Sequence, residues 1–393
     1  MSKVMEETER IKSKEEEEIW SWGAGTEGQL GTGKLQDEHK PQLIHSLSSF
    51  GPISHLSCGG AHVIALTPGG RVLTWGRGNS GQLGHGEMVN CLHPKSVESL
   101  EGAFITHASA GWNHSGFVSD TGYVFTCGDG SFGQLGHGDY ISRCSPVQVL
   151  HFKARHVEQI ACGMRHSLVL LKEDLIYGFG SGKRGQLGIS DDKQKSVSTP
   201  QVTLGFENVK IRSVTANGDH STAISMNGHL YIWGRAFHGA PDVYTPRRVT
   251  ADLLFSQVAL GWNHALVLTG DGEVYMLGKY NYNVPTGAQK ANGMKHISED
   301  EGVLQRVLDF NNTNVTQIGA GAEHSAVVTD DGSVMTWGWG EHGQLGLGDT
   351  NDQTSPRVVS LCNEQSSKPC VGRVYCGSGF TFVIRTYTLN SSF

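Results

Sequence analysis

The chain has 393 residues and a net charge of −7, with 31 Lys+Arg against 38 Asp+Glu, so it lacks the basic surplus that strong non-specific nucleic-acid binding uses. Its 53 glycines beside only 11 prolines point to many tight turns between strands and exclude a collagen-like or proline-rich disordered chain. No run approaches the roughly 18 apolar residues of a membrane helix, and the charged opening segment has no apolar centre of a signal peptide. The expected setting is therefore intracellular, in cytoplasm and/or nucleus, with no membrane contact.

Residues 1–18 read as an acidic, disordered tail that ends in Glu15-Glu16-Glu17-Glu18. A strand-like run, Ile19-Trp-Ser-Trp-Gly23, follows and leads into the phrase Gly28-Gln-Leu-Gly31. That phrase returns at Gly81, Gly133, Gly185 and Gly343, with a period of about 52 residues over the first copies. A fixed period of this size means one supersecondary unit copied in tandem. Each copy holds four strand-like runs. The first opens after a proline (Pro41, Pro94, Pro146, Pro200, Pro246, Pro356), and the second ends in glycine, as in Val157–Gly163. The third opens on a histidine: His62, His114, His166, His220, His264 or His324. A turn such as Asn227-Gly228 or Asp271-Gly272 leads to the fourth, which ends in aromatic-Gly in most copies, as at Trp75-Gly76 and Trp337-Gly338.

A seventh copy is marked by Phe380 in place of histidine and ends after three runs. The missing fourth is Ile19–Gly23 at the opposite terminus. A linear array would leave open strand edges at both ends, and joining the ends removes them. The fold expected is an all-β, seven-bladed propeller of four-stranded antiparallel blades, the last completed by the N-terminal strand. Residues 19–387 form the propeller and 388–393 a short C-terminal tail. Of the eight cysteines, Cys58, Cys162 and Cys376 share one repeat position and no CxxC spacing occurs, so they read as small buried hydrophobes.

The phrases Trp75-Gly-Arg-Gly-Asn-Ser-Gly-Gln-Leu-Gly-His-Gly86 and Trp337-Gly-Trp-Gly-Glu-His-Gly-Gln-Leu-Gly-Leu-Gly348, with the Gly-x-x-His signature, resemble the regulator of chromosome condensation repeat over roughly Ile19 to Thr386. The resemblance implies a seven-bladed propeller closed by terminal strand exchange. It also implies a choice among diverging functions: nucleotide exchange on the Ran GTPase, chromatin binding, plant UV-B reception and protein-interaction modules.

The six histidines lie in different copies, which spreads them round a ring and argues against a shared metal site. Gly23-Ala-Gly-Thr-Glu-Gly28 mimics a phosphate-binding loop, yet no helix follows to hold a pyrophosphate. No nucleophile elbow, paired-carboxylate signature or zinc-hydrolase motif is present. No catalytic residue, cofactor or metal is expected.

The two residues before each histidine change chemistry at a fixed backbone position and read as a displayed face. The resemblance implies that they line one surface near the central channel. Trp112, Asn113, Arg165, Asp219, Trp262, Asn263 and Glu323 are the candidate partner surface, joined by Tyr280 and Tyr282 in the irregular stretch Lys279–Glu301. A UV-B receptor of this family is implied to cluster tryptophans on consecutive blades, with arginines that hold a dimer. Here only Trp112 and Trp262 occupy such positions, in the second and fifth copies, and they are expected to stand far apart. The Ran exchanger is implied to use a β-wedge, for which the evenly spaced copies one to four leave no room, and a basic tail, where this one is acidic. The sequence thus reads as a non-enzymatic scaffold binding a partner protein, with a small GTPase or a chromatin-associated protein as partner classes. The alternatives are guanine-nucleotide exchange on a small Ran-like GTPase, and UV-B receptor-like signalling or chromatin association.

Overall fold

The runs that open on histidine are buried along their whole length, as in His62–Leu66 and His166–Leu171. A strand covered on both faces must lie inside a stack of sheets. The computed structural model describes residues 14–190, 196–237, 240–278, 294–296, 303–308, 310, 313–361 and 370–389. It places these runs second in six of seven antiparallel sheets arranged as a propeller, with the run from Phe380 second in the seventh. From the axis outward, blade 1 comprises His55–Cys58, His62–Leu66, Val72–Gly76 and Cys91–Ser96, and blade 2 comprises Ile105–Ala110, His114–Ser119, Val124–Gly128 and Arg143–Gln148. Blade 3 is Val157–Cys162, His166–Leu171, Ile176–Ser181 and Ser196–Val202, and blade 4 is Ile211–Asn217, His220–Ser225, Leu230–Gly234 and Val243–Arg248. Blade 5 is Phe255–Leu260, His264–Thr269, Val274–Gly278 and Val303–Arg306, with Met294–His296 added as a fifth strand. Blade 6 is Val315–Ala320, His324–Thr329, Val334–Gly338 and Gln353–Val358. Blade 7 joins Cys370–Cys376 and Phe380–Leu389 to Lys14–Gly23 and Glu38–Leu43.

The ring is therefore closed by the N-terminal strand, with Ile19 opposite Ile384, Trp20 opposite Val383 and Gly23 opposite Phe380. The phase of the repeat differs from its reading along the chain. Each proline-bearing run is the outermost strand of the blade before it, so two strands from each end of the chain build blade 7. Proline suits this edge, where an absent N–H costs no ladder bond. The pairing slips beside it, as between Thr74 and Gly76 opposite the stretch Cys91 to Lys95 that contains Pro94. The ladder also runs on beyond Ile19, from Glu18 opposite Arg385 to Lys14 opposite Leu389, so part of the acidic run is in strand.

The seam copies the contacts of the other blades. In blades 1, 4 and 7 the tryptophan before the strand-ending glycine reaches back to the Gly-Gln-Leu-Gly phrase of the preceding blade. Trp75 Nε1 donates to Gln29 O at 2.9 Å, Trp233 Nε1 to Gln186 O at 2.9 Å, and Trp22 Nε1 to Gln344 O at 2.8 Å. Trp22 is fully buried with Trp20, Val374 and Val383 in a cluster that spans blades 6 and 7. Trp22→Ala should remove about 3–5 kcal/mol of stability in urea unfolding monitored by circular dichroism, and a midpoint equal to that of the unaltered protein would mean that the seam does not hold the ring.

Candidate functional site at the channel mouth

The repeat histidines set the floor of the site. In five copies Nε2 meets the hydroxyl that follows the next blade's histidine position: His62 with Ser115, His114 with Ser167 and His166 with Ser221 at 2.9 Å, His264 with Ser325 at 3.0 Å, and His324 with Thr381 at 2.9 Å. Ser115, Ser167, Ser221 and Thr381 spend their own protons on the carbonyls of Gln82, Gln134, Gln186 and Gln344. Those histidines must then donate from Nε2, and burial of the ring keeps them neutral, with Nδ1 unprotonated. Burial pushes the imidazoles down, to about 3 for His62, His166 and His324 and to about 4 for His114 and His264. The ring packs so closely on the glycine three residues earlier that a Cβ at Gly321 would lie 2.1 Å from His324 Cε1.

Blade 4 departs from this pattern. Asn217 replaces the glycine, and the hydroxyl position of blade 5 is Ala265. His220 instead stacks on Phe237 at 4.4 Å, with Nε2 against Trp262 O at 2.8 Å and Nδ1 against Arg235 O at 2.6 Å.

Above the histidines, the turns that precede them are tied into a circle by main-chain hydrogen bonds. Gly60 N donates to Gly111 O (3.1 Å), Trp112 N to Gly163 O (3.1 Å), Met164 N to Gly218 O (2.9 Å), Trp262 N to Ala322 O (2.8 Å), Ala322 N to Ser378 O (2.9 Å) and Ser378 N to Gly59 O (3.1 Å). The remaining junction, between blades 4 and 5, is bridged by His220 and by the Asn217 amide on Leu260 O. The circle surrounds a cavity of about 320 Å³ walled by the innermost strands of all seven blades. Side-chain amides stitch that wall: Gln317 Nε2 donates to Val374 O and Gln317 Oε1 accepts from Val374 N, both at 3.0 Å. Cys58, Cys162 and Cys376 lie in the same wall as free thiols, and burial raises all three, Cys162 and Cys376 to about 12.

Seven of the sequence-selected residues share this rim, on one face of the ring. The expectation that Trp112 and Trp262 stand far apart is overturned: their ring centroids are 5.3 Å apart at 45°. Blades 2 and 5 face each other across the mouth, but this position is at the end of the innermost strand, close to the axis. Small residues at the same position in blades 1, 4, 6 and 7 (Gly60, Gly218, Ala322, Ser378) leave space for two indoles to reach inward. Trp112 lies directly over Gly60, where a Cβ would come within 2.9 Å of the indole. Both tryptophans remain partly exposed.

One step outward stands a polar frame. Asn263 Nδ2 donates to Glu323 Oε1 at 3.2 Å and Asn263 Oδ1 accepts from Arg235 Nη2 at 3.2 Å. Gln186 Nε2 holds Asp219 at 3.0 Å, and the exposed Arg165 lies over the Phe132 ring at 4.8 Å. Asn113 is the half-buried member of this frame in blade 2. Tyr280 and Tyr282 lie outside the described residues, in the connection between the third strand of blade 5 and Met294–His296. Arg235 was missed in the sequence reading. Its signal was its place straight after Trp233-Gly234, where Arg77 follows Trp75-Gly76 and pairs with Glu27 at 2.9 Å.

The family model of the RCC1-like domain matches residues 18–383. The chain belongs to the RCC1-like domain family. It is 32% identical to the ultraviolet-B receptor UVR8 of Arabidopsis thaliana over 84% of this chain and 74% of that protein. It is 29% identical to the secretion-regulating guanine nucleotide exchange factor of Mus musculus over 93% of this chain and 83% of that protein. Among solved structures, Prp20p of Saccharomyces cerevisiae, described with its binding to Gsp1p and histones, superposes with a TM-score of 0.80 at 23% identity, over 97% of this chain and 93% of that one. No described helix of this RCC1-like propeller is long and apolar enough to cross a membrane.

Two measurements test the geometry of the mouth and its floor. A double-mutant cycle of Trp112→Ala and Trp262→Ala on unfolding free energy should give a coupling of about 0.5–1.5 kcal/mol, whereas simple additivity would place the indoles apart. The second is acid sensitivity. The neutral histidines have folded values below their unfolded value near 6.5, so the unfolded chain binds more protons between the two. Their contribution is complete above about pH 6.5 and lost as pH falls toward 3–4. Each such histidine should cost about 1.4 kcal/mol per pH unit in that window, seen as a melting temperature that drops from pH 7 to pH 4.5; a flat profile would mean that the imidazoles are not held neutral.

Proposed function

We propose that this chain is a non-enzymatic protein-interaction scaffold, acting inside the cell, that takes its partner on the face carrying the channel mouth. The observation behind this reading is the Trp112–Trp262 pair at the centre of that face, partly exposed and framed by Asn113, Arg165, Asp219, Arg235, Asn263 and Glu323. A central aromatic anchor inside a polar rim is the usual anatomy of a protein-binding hot spot, where tryptophan and arginine carry most of the energy. Glycines and hydroxyls tie the floor beneath the pair into a ring, so the anchor is held rigid before a partner arrives, which lowers the ordering cost of binding.

Guanine-nucleotide exchange on a small GTPase is the second reading, favoured by the likeness to the secretion-regulating exchange factor over 93% of this chain. The two readings differ in catalysis. Quantitative affinity capture with the unaltered protein and with the Trp112→Ala/Trp262→Ala variant should show at least one partner retained by the first and lost about tenfold or more by the second, the effect of removing a hot-spot residue worth ~1.4–4 kcal/mol. Fluorescent-GDP release from a panel of small GTPases should be unchanged by substoichiometric protein. Equal capture by both proteins would remove the rim from the interface, and accelerated release would replace the scaffold reading with exchange.

A further inference from the structure

In blades 1 to 6 a tight turn joins the second and third strands, and both strands stop there. Blade 7 has no such turn, because the two strands come from opposite ends of the chain. They run on together, Lys14–Glu18 beside Arg385–Leu389. The neighbouring strand Glu38–Leu43 does not follow them; its last pair is Trp20 with Leu43, and the chain then bends into the 3-10 turn His45–Phe50. The N-terminal strand is left with an open edge at its start.

Strand alternation fixes which groups that edge presents. Ile19 O accepts from Ile44 N at 2.8 Å, so Ile19 turns its main-chain groups toward the Glu38–Leu43 side. Glu17, two residues earlier, turns its N–H and C=O the same way, where no described strand stands beside it. The edge borders a groove of about 830 Å³ whose apolar lining includes Ile19, Leu43, Ile44, Leu47, Pro52 and Ile53. Glu16, Glu17 and Glu18 also line it, against one guanidinium, Arg373. Glu17 Oε1 accepts from Ile53 N at 2.8 Å and Oε2 lies 3.6 Å from Arg373; Glu18 accepts from Trp20 Nε1 at 3.3 Å and from Tyr387 Oη at 3.0 Å; Glu16 is exposed. The groove opens on the face opposite the channel mouth, since the strand runs from here to Gly23 beside Gly379.

We propose that this edge is a second docking site, which accepts an extended, basic segment of a partner protein as an added β-strand. Main-chain bonds to Glu17 supply the pairing, alternate apolar side chains enter the groove, and the glutamates select lysine or arginine at the intervening positions. A second copy of this chain is disfavoured there, because edge-to-edge pairing would set glutamate against glutamate. The site is independent of the rim.

Fluorescence polarisation with a labelled hexapeptide alternating lysine and valine tests the proposal on the full chain. The unaltered protein should bind it, and a glutamate–valine counterpart should not bind. Proline removes only a donor that faces outward, so Glu17→Pro should bind about tenfold more weakly than Glu17→Ala, the loss expected for one edge hydrogen bond. A lysine–valine peptide N-methylated on alternate amides, in the register that faces the edge, should lose binding to the same extent, and this arm stands if Glu17→Pro melts early. Glu16→Lys should weaken binding, and Trp112→Ala/Trp262→Ala should not. Absence of binding to the lysine–valine peptide, equal affinity for the N-methylated peptide, or a dimer that the peptide fails to dissociate would overturn the site.

Discussion

A hydrogen bond between an imidazole Nε2 and the hydroxyl of the next blade joins five of the seven blade junctions. It is buried, so neither partner can be left without the other at small cost. Its donors and acceptors change together round the circle. Where the hydroxyl is Ala265, the preceding His220 turns to a main-chain carbonyl instead. Where the next position is Val63, the histidine itself is gone, and Phe380 packs with Val63 in one apolar cluster. The repeat is thus a chain of pairwise agreements between neighbours, which is how nearest-neighbour stacking stabilises repeat proteins. The turns above inherit that regularity, and the tryptophan pair stands on it.

Closure follows from the same logic applied to the chain ends. A blade built half from each terminus cannot form until the termini meet, so blade 7 couples the first and last parts of the chain into one cooperative unit. Trp22 serves there as Trp75 does inside the chain, with the same bond to a Gly-Gln-Leu-Gly carbonyl. The seam nonetheless differs from the other blades in one respect: without a connecting turn its strands are free to continue. That freedom extends the ladder to Lys14 and opens the acidic edge. An exposed edge is ordinarily a hazard, and charged side chains along it are the usual protection. The glutamates therefore limit self-pairing at the same place where they favour a basic strand.

Much of this was legible along the chain because the repeat is tied to geometry. The aromatic-Gly ends, the histidines and the Gly-Gln-Leu-Gly phrases occupy buried, sterically demanding positions, so their spacing reported seven blades and their closure. The phase was less visible, since proline marks an edge strand equally well at the start of one unit or the end of another. The rim residues could be picked out because they vary where the backbone does not. Their mutual distances were hidden. Position in a seven-fold ring suggests separation, but the radius at the mouth is set by Gly60, Gly111 and Gly163, which bring the turns so close that blades 2 and 5 touch through their tryptophans.

That contact changes what the mouth can be. Two indoles lean together over a cavity of about 320 Å³, and the exposed edges of the pair form one apolar spot rather than two. The polar frame is asymmetric around it. Arg165 and Arg235 lie on the side of blades 3 and 4, Glu323 on blade 6, and Asn263 links Arg235 to Glu323 across blade 5. Asp219 stands beside Arg235 on blade 4, so a partner set down on the pair meets a different mixture of charges in each direction, which favours one rotation about the propeller axis. A ring of near-identical units has no such direction of its own. The residues that break the repeat provide it, and a scaffold needs that direction if it is to hold a partner in one orientation.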